Sequence, residues 1–251
     1  DVARPAGYVT KSLPGGSAAE AANSIDQLRQ LLFKSDPGHI LIASAEQAPY
    51  AMPAAAWAAR SGDPVLFTDR DGLPEATAEA LNRHRGVPIY VLGPESVITE
   101  EVVREIERAS PGVQRVGEQG PTANSIAFAR YADADFGWDI NDPGHGLVLA
   151  SASRPLDAGA SAPLSASGKW GPLLVVEDAD TLSPDLRSFL LDIKPGFEDD
   201  PTRAVYNHVW LIGDSAVLGA RLQAEVDELV ELAEVGAGAG GSVAEAGGSG
   251  S

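Results

Sequence analysis

The chain contains no cysteine, which excludes disulfide frameworks, cysteine-ligated zinc, iron–sulfur clusters and thiol nucleophiles. No run reaches the roughly 18 consecutive apolar residues that a membrane-spanning helix needs. Positive charge is scarce, since 18 lysines and arginines oppose 36 aspartates and glutamates, for a formal net charge of −18. This balance disfavours a nucleic-acid binder and a polybasic contact with anionic lipid, because both need clustered positive charge.

The motifs of common nucleotide and hydrolase sites are also missing. Gly168-Lys169 is followed by Trp170, so the sequence has no phosphate-binding P-loop. Gly236-Ala237-Gly238 lies in a glycine-rich tail without a preceding strand, which disfavours a nicotinamide or flavin cofactor. No G-x-S-x-G nucleophile elbow occurs. We therefore expect no cofactor, no bound metal ion and no enzymatic activity.

The chain can nevertheless bury a core. Its 251 residues are 44% hydrophobic and 22% charged, which is typical of one large or two small folded domains. It begins with Asp1 instead of Met, so we expect that a signal segment was removed or that the chain is a piece of a longer protein.

An internal repeat organises the sequence. Ala22-Asn23-Ser24-Ile25 recurs as Ala123-Asn124-Ser125-Ile126, and Asp36-Pro37-Gly38-His39 recurs as Asp142-Pro143-Gly144-His145. Further matches follow in the same order: Ile40–Ala45 with Leu147–Ala152, Pro64–Phe67 with Pro172–Val175, Asp69–Asp71 with Asp178–Asp180, and Val91–Gly93 with Leu211–Gly213. Six matches in one order indicate a duplication, with an added loop between Lys194 and Asn207.

Helical and strand patterns alternate in both units. Short apolar runs predict strands at His39–Ala43, Pro64–Thr68 and Val87–Leu92, and again at Leu147–Ala150, Leu173–Val176 and Val209–Ile212. Helical spacing predicts helices at Asn23–Phe33, Ala51–Ser61, Pro74–His84, Thr99–Ala109 and about Ser215–Ala233. Apolar strands separated by helices indicate parallel sheets covered on both faces.

The expected fold class is therefore α/β, with two tandem Rossmann-like or flavodoxin-like units. We expect an N-terminal extension at 1–22, the first unit at 23–117 and the second at 118–235. The glycine-, alanine- and serine-rich segment 236–251 is expected to be a flexible tail.

Several segments resemble the type 2 cell-wall-binding repeat. Ala150–Leu164 resembles the family's "ASG..FPDALAAAPLA" stretch, and Gly171–Val175 is similar to the start of its "G.PLLLT....LP". Ile89–Gly93 resembles its "VYVLGG", and Arg115–Gly117 is similar to the start of its linking motif "R.AG.DRY.TA". The resemblance covers about Asn23 to Leu232.

This resemblance implies α/β modules that attach noncovalently to anionic polymers of the bacterial cell wall, often in sets of three. It implies a noncatalytic protein located outside the cell, at the cell wall or cell surface. Two alternatives remain open at this stage. One is a structural subunit that assembles with itself or with a protein partner, and the other is an enzyme with a site at the carboxyl ends of the strands.

Three residues are candidates for contact with the polymer. Arg154 and Asp157 follow the first strand of the second unit, and Arg115 lies in the linking segment. The planar donors of arginine suit phosphates, carboxylates and sugars. The alternative for all three residues is a surface ion pair.

Acidic pairs follow the second strand of each unit, at Asp69/Asp71 and Asp178/Asp180. Carboxylates two residues apart could hold a hard cation. Alternatively, Asp71 and Asp180 cap the following helices while Asp69 and Asp178 remain solvated.

Histidines recur at one repeat position, His39 and His145. We expect them to be turn residues that cap backbone groups, with a metal or acid–base role as the alternative.

Aromatic residues that could stack on sugars are Tyr50, Trp57, Trp138 and Trp170. Trp57 lies in an apolar helix and is expected in the core.

The alanine-rich helical segments Ala51–Ala59 and Ala158–Ser167 are expected to form a buried contact, either between the units or with another chain. This interpretation places Ala55 and Ala160 at the contact.

Overall fold

A computed structural model describes residues 12–110, 112–166 and 170–235. The predicted tail at 236–251 lies outside these residues. The helices are α1 (Ala18–Phe33), α2 (Ala48–Ser61), α3 (Glu75–Arg83), α4 (Glu100–Glu107), α5 (Pro121–Arg130), α6 (Leu156–Ser161), α7 (Pro184–Asp192) and α8 (Ala220–Val230). Short 3₁₀ turns occupy Ala162–Ser165 and Pro201–Arg203.

Strands alternate with these helices along the chain. They are β1 (Ile40–Ser44), β2 (Val65–Thr68), β3 (Ile89–Leu92), β4 (Val113–Val116), β5 (Ala132–Asp133), β6 (Phe136–Gly137), β7 (Gly146–Ser151), β8 (Trp170–Val176), β9 (Gly196–Phe197), β10 (His208–Ile212) and β11 (Ala233–Glu234). The α/β class predicted from the sequence is confirmed.

Two parallel sheets form the framework, and they share their order and register. The first sheet has the order β2-β1-β3-β4 and the second the order β10-β7-β8. Leu41 pairs with Val65 in the first sheet, and the matching residue Val148 pairs with Leu173 in the second. On the other side the corresponding pairs are Leu41–Tyr90 and Val148–Trp210. The central strands β1 and β7 therefore hold the same sheet position.

The second sheet differs from the first in its fourth strand. In the first sheet β4 lies beside β3, whereas no fourth strand joins the second sheet within the described ranges. Instead, β11 pairs with β9, which lies in the added loop between Lys194 and Asn207. The segment that follows α8 therefore pairs with the inserted loop instead of with the second sheet.

Two helices start about five residues away from their predicted first residues, because polar side chains select other positions. Helix α1 begins at Ala18, five residues before the predicted start, because Ser17 Oγ accepts the Glu20 N–H at 3.2 Å. Helix α8 begins at Ala220 instead of near Ser215, because Asp214 first holds a separate turn. In that turn Asp214 Oδ1 accepts the Ala216 N–H at 2.9 Å.

Helix α2 lies between the two sheets and is buried on two sides. Ala54 and Trp57 pack into a core with strand β1 of the first sheet, whereas Met52 and Ala56 pack against strands β7 and β8 of the second. The second core also contains Ala158 of α6. The alanine-rich segments thus form a buried contact within this chain. Ala160, however, is exposed, so it does not take part in the contact within this chain.

Helix α5 closes the open edge of β8 with buried polar side chains. Thr122 Oγ1 donates to the Val175 carbonyl at 2.8 Å, and Ser125 Oγ accepts the Val175 N–H at 3.0 Å. Both side chains are buried, and these bonds satisfy backbone groups that an edge strand would otherwise leave unpaired. Ser125 of the repeated tetrapeptide Ala123–Ile126 therefore helps to cover a sheet edge.

We expect Ala56→Leu to destabilise the fold by about 1–3 kcal/mol, because added carbons overpack a closed contact. Ala56 is fully buried between α2 and the second sheet. Ala224→Leu, at an exposed position of α8, is the matched control and should change stability little. Chemical denaturation measures both variants, and equal midpoints for them would contradict the shared-helix packing.

Candidate functional site

The strand order of the second sheet reverses between β7 and β10, so the carboxyl ends of these two strands mark the expected ligand crevice of this sheet. The chain leaves β7 toward β8 on one side and returns to β10 on the other, and open α/β sheets bind ligands where the strand order reverses in this way. Arg154 follows β7 and Asp214 follows β10. Both predicted residues Arg154 and Asp157 therefore lie beside this crevice.

Arg154 is held by two carboxylates, and only one of the contacts is short. Its Nε lies 3.1 Å from Asp157 Oδ2, its NH2 lies 3.4 Å from Asp157 Oδ1 and its NH1 lies 3.5 Å from Asp214 Oδ2. Contacts of 3.4–3.5 Å are at the weak end for charged hydrogen bonds. The Arg154 side chain is also 47% exposed. Its guanidinium is therefore accessible to a ligand that offers better acceptors.

Arg115 lies in a different place and is held more firmly. It lies on β4, where its NH2 donates to Glu100 Oε1 at 2.6 Å and its NH1 donates to the Gly93 carbonyl at 2.8 Å. The side chain is 22% exposed. No hydrogen bond or ion pair within the described part of the chain joins Arg115 to Arg154 or Asp157, so the three candidates do not form one cluster.

In the first sheet the three corresponding repeat positions carry no charged side chain. The counterparts of Arg154, Asp157 and Asp214 are Gln47, Tyr50 and Pro94. Tyr50 supports the fold, because its hydroxyl accepts the Gly120 N–H at 2.9 Å. This binds α2 to the segment that enters α5. The two sheets therefore differ in charge at these three positions even though their strands share one register.

The acidic pairs do not cap the helices that follow them. Helix α3 is preceded by Pro74 at its cap position, and α7 is capped by Ser183, whose side chain accepts the Leu186 N–H. Asp71 forms an exposed ion pair with Arg70 at 2.7 Å. The interpretation of Asp71 and Asp180 as caps is thus wrong, because the chain makes a further turn before each helix.

Asp178 organises the turn after β8. Its Oδ1 accepts the Asp180 N–H at 2.9 Å, the Thr181 hydroxyl at 3.0 Å and the Thr181 N–H at 2.9 Å. These bonds lower the pKa of the Asp178 carboxyl, the Asp180 N–H contributing most.

A buried ionic cluster lies at the amino ends of β1 and β2, and it is not among the sites predicted from the sequence. Asp63 is buried and accepts the His39 N–H at 3.1 Å and the Trp57 indole N–H at 3.0 Å. Its Oδ2 also lies 3.3 Å from His39 Nδ1, while His39 Nε2 lies 3.2 Å from Asp135 Oδ1. His39 therefore links buried and exposed carboxylates instead of capping a turn. Its counterpart His145 contacts Asp142 at 2.9 Å.

The β5–β6 hairpin reaches back to the first sheet beside this cluster. Phe136 stacks on Tyr90 with ring centroids 3.5 Å apart, and the Tyr90 hydroxyl donates to Asp133 Oδ2 at 2.9 Å. Burial, followed by the hydrogen bond to Asp133, raises the pKa of Tyr90. A cavity of about 510 Å³ beside the hairpin is lined by His39, Trp57 and Trp138 among others. The hairpin therefore ties the second half of the chain to the first.

Of the aromatic residues named from the sequence as possible sugar contacts, Trp57 and Trp138 pack in or against the apolar cores. Trp57 is buried as expected, and Trp138 is partly buried and packs against three of the apolar cores. The Trp170 side chain lies outside the described atoms. Among the residues that the structure describes, no group of three or more His, Asp or Glu side chains could hold a metal ion. No described helix is long and apolar enough to cross a membrane.

Comparison with known proteins agrees with the resemblance seen in the repeats. Residues 14–103 match the family model Cell wall binding domain 2 (CWB2). This match supports an association with the cell wall and confirms the predicted resemblance for most of the first unit. A comparison with curated proteins gave no match.

Solved structures share the fold. Cwp6 from Clostridium difficile superposes with a TM-score of 0.68 at 18% identity over 92% of this chain. Cwp8 from Clostridium difficile superposes with a TM-score of 0.61 at 14% identity over 88% of this chain. In each case this chain covers 34% of the larger structure. The chain thus spans about a third of the length of these structures.

We expect Asp63→Ala to destabilise the protein by about 3 kcal/mol, because it leaves the buried His39 and Trp57 N–H groups without an acceptor. Asp135→Ala is the matched control, since the Asp135 side chain is 86% exposed, and it should change stability by less than about 0.5 kcal/mol. Urea unfolding of both variants makes the comparison. Equal losses would show that Asp63 is not the centre of this cluster.

We expect Tyr90 to remain a neutral phenol in the folded protein while an unperturbed tyrosine ionises near a pH of about 10. Its raised pKa means that its contribution to stability is present below that pH and is lost as the pH rises further. Phenolate absorbance of the native chain and of Tyr90→Phe should coincide from about pH 9 to 11. A difference in amplitude in this range would contradict the prediction.

Proposed function

We propose that this protein is a noncatalytic, extracellular cell-envelope protein that attaches noncovalently to an anionic polymer of the bacterial cell wall. The observation that carries this proposal is the match of residues 14–103 to the cell wall binding domain 2 model. The ordered repeats and the shared sheet register support its extension to the second half of the chain. In this proposal residues 23–117 and 118–235 are two Rossmann-like binding repeats.

Arg154 is the main polymer contact in this proposal. Its guanidinium lies at the crevice of the second sheet and is half-exposed, with one short contact to Asp157 and a longer one to Asp214. A phosphate or carboxylate of the polymer offers paired oxygens that match the planar guanidinium donors better. Asp157 orients Arg154 and can accept hydrogen bonds from sugar hydroxyls. Arg115 provides a second, weaker contact on the first unit.

The net charge of the chain limits the distance over which the polymer can be attracted. A net charge of −18 repels an anionic polymer, but salt screens that repulsion beyond about 8–10 Å at physiological ionic strength. Attachment must therefore depend on short contacts at Arg154 and not on a long-range field. Once the repulsion is screened, further salt chiefly weakens this exposed contact, so binding should fade as salt rises above the physiological range.

We expect Arg154→Ala to weaken binding to purified cell envelopes about tenfold or more, since hydrogen bonds to charged groups contribute about 1.5–3 kcal/mol. Cosedimentation across a salt series measures the effect. Arg187→Ala is the matched control, because Arg187 is equally exposed, at 46%, and is paired with Glu225. Equal binding by the two variants would contradict the proposed site, and no binding by the unaltered chain would contradict the function.

The noncatalytic part of the proposal has its own test. The alternative enzyme would use the acidic residues at the strand ends, such as Asp69 and Asp178. Turnover of envelope material by the purified chain that disappears in Asp69→Ala or Asp178→Ala would overturn the noncatalytic assignment.

A further inference from the structure

An apolar groove of about 550 Å³ runs between α1 and α2 beside strand β2. Alanines from both helices form its walls, and Val65 and Phe67 form part of its floor. Ile25, which is 59% exposed, stands beside it. The charged groups that border the groove are already paired, since Asp26 and Asp63 bind histidines and Arg29 donates to the Gly62 carbonyl. The remaining surface is suited to an apolar partner.

The corresponding surface of the second unit is already covered. There, Ala158, Leu173 and Val175 are buried under Met52 and Ala56 of helix α2. The shared sheet register makes Leu173 and Val175 the counterparts of Val65 and Phe67.

Ala158 corresponds in the repeat to Ala51, and Ala51, Val65 and Phe67 are all only partly buried. The groove of the first unit is thus the uncovered form of a surface that receives a helix in the second.

The helix face that fits such a groove also recurs, on α6 and the turn after it. Met52 and Ala56 of α2 pack against the second unit, and Pro53, next to Met52, is buried as well. The repeat counterparts of these three residues are Gly159, Ala160 and Pro163, which are exposed. Leu156, at the start of the same helix, is 88% exposed. Each of the two surfaces that join the units therefore has an uncovered counterpart elsewhere in the chain. These counterparts are the α1–α2 groove of the first unit and the α6 face of the second.

We propose that the α1–α2 groove of one copy of this chain receives the α6 face of a second copy. The contact repeats, between chains, the packing of α2 against the second unit within the chain. It joins two different surfaces and is therefore head-to-tail, so that it extends or closes according to the rotation between copies. This inference does not rest on polymer binding, since it uses neither Arg154 nor Asp157.

Disulfide trapping tests the contact directly, because the chain has no native cysteine. Ala21→Cys places a thiol in the groove, and Ala160→Cys places one on the α6 face. Mixing the two single variants under mild oxidation should give a covalent dimer linked between positions 21 and 160, which can form only between copies. Ala21→Cys mixed with Ala224→Cys, at an exposed site on α8, is the control. If the Ala21 variant fails to fold, Ala18→Cys at the rim of the same groove replaces it.

Sedimentation velocity of the unaltered chain over a range of concentrations gives an independent measurement. We expect reversible association that Ala21→Glu weakens about tenfold or more, while Ala224→Glu leaves it unchanged. A chain that remains monomeric throughout, or equal trapping at positions 160 and 224, would overturn the proposal. Association that survives Ala21→Glu would also overturn it, because the copies would then meet elsewhere.

Discussion

The structure depends on the need of a parallel sheet to have both faces covered. Short strands such as β1 and β7 are buried at every residue and leave no face that can meet water. The second sheet receives part of one layer from α2, a helix that belongs to the first unit by sequence. A helix that lies between two sheets needs small side chains on both faces, because both sheets must approach it closely. Alanine meets this need. The composition of α2 is therefore a packing requirement.

Most of the framework could be predicted from the sequence because its signals are local. Apolar runs of four or five residues bounded by glycine and proline marked the main strands, and the ordered repeat indicated that they recur. The errors lie where a side chain several residues away decides a boundary. Ser17 begins α1 earlier than its apolar periodicity indicates, and Asp214 holds a turn where a helix was expected.

The position of the candidate site could be predicted from the sequence, whereas the contacts of the ionic cluster could not. Arg154 and Asp157 follow a strand directly, so their place at a carboxyl end follows from the strand prediction. The contact of His39 with Asp63 and Asp135 depends on a hairpin that returns from the second half of the chain. The only available signal was the repeated histidine position, which identified the loop but neither of its partners. A contact with a hairpin that is distant in the chain produces no periodic pattern in a single sequence.

The shared helix also has a consequence for how the molecule reaches its native state. Met52 and Ala56 are buried against Leu173 and Val175, more than a hundred positions along the chain. Contacts between distant segments form slowly, because a large loop must close before they are made. The face of α2 that meets the second sheet is buried only after the strand β8 has paired. We therefore expect the contact between the two halves to form late in folding.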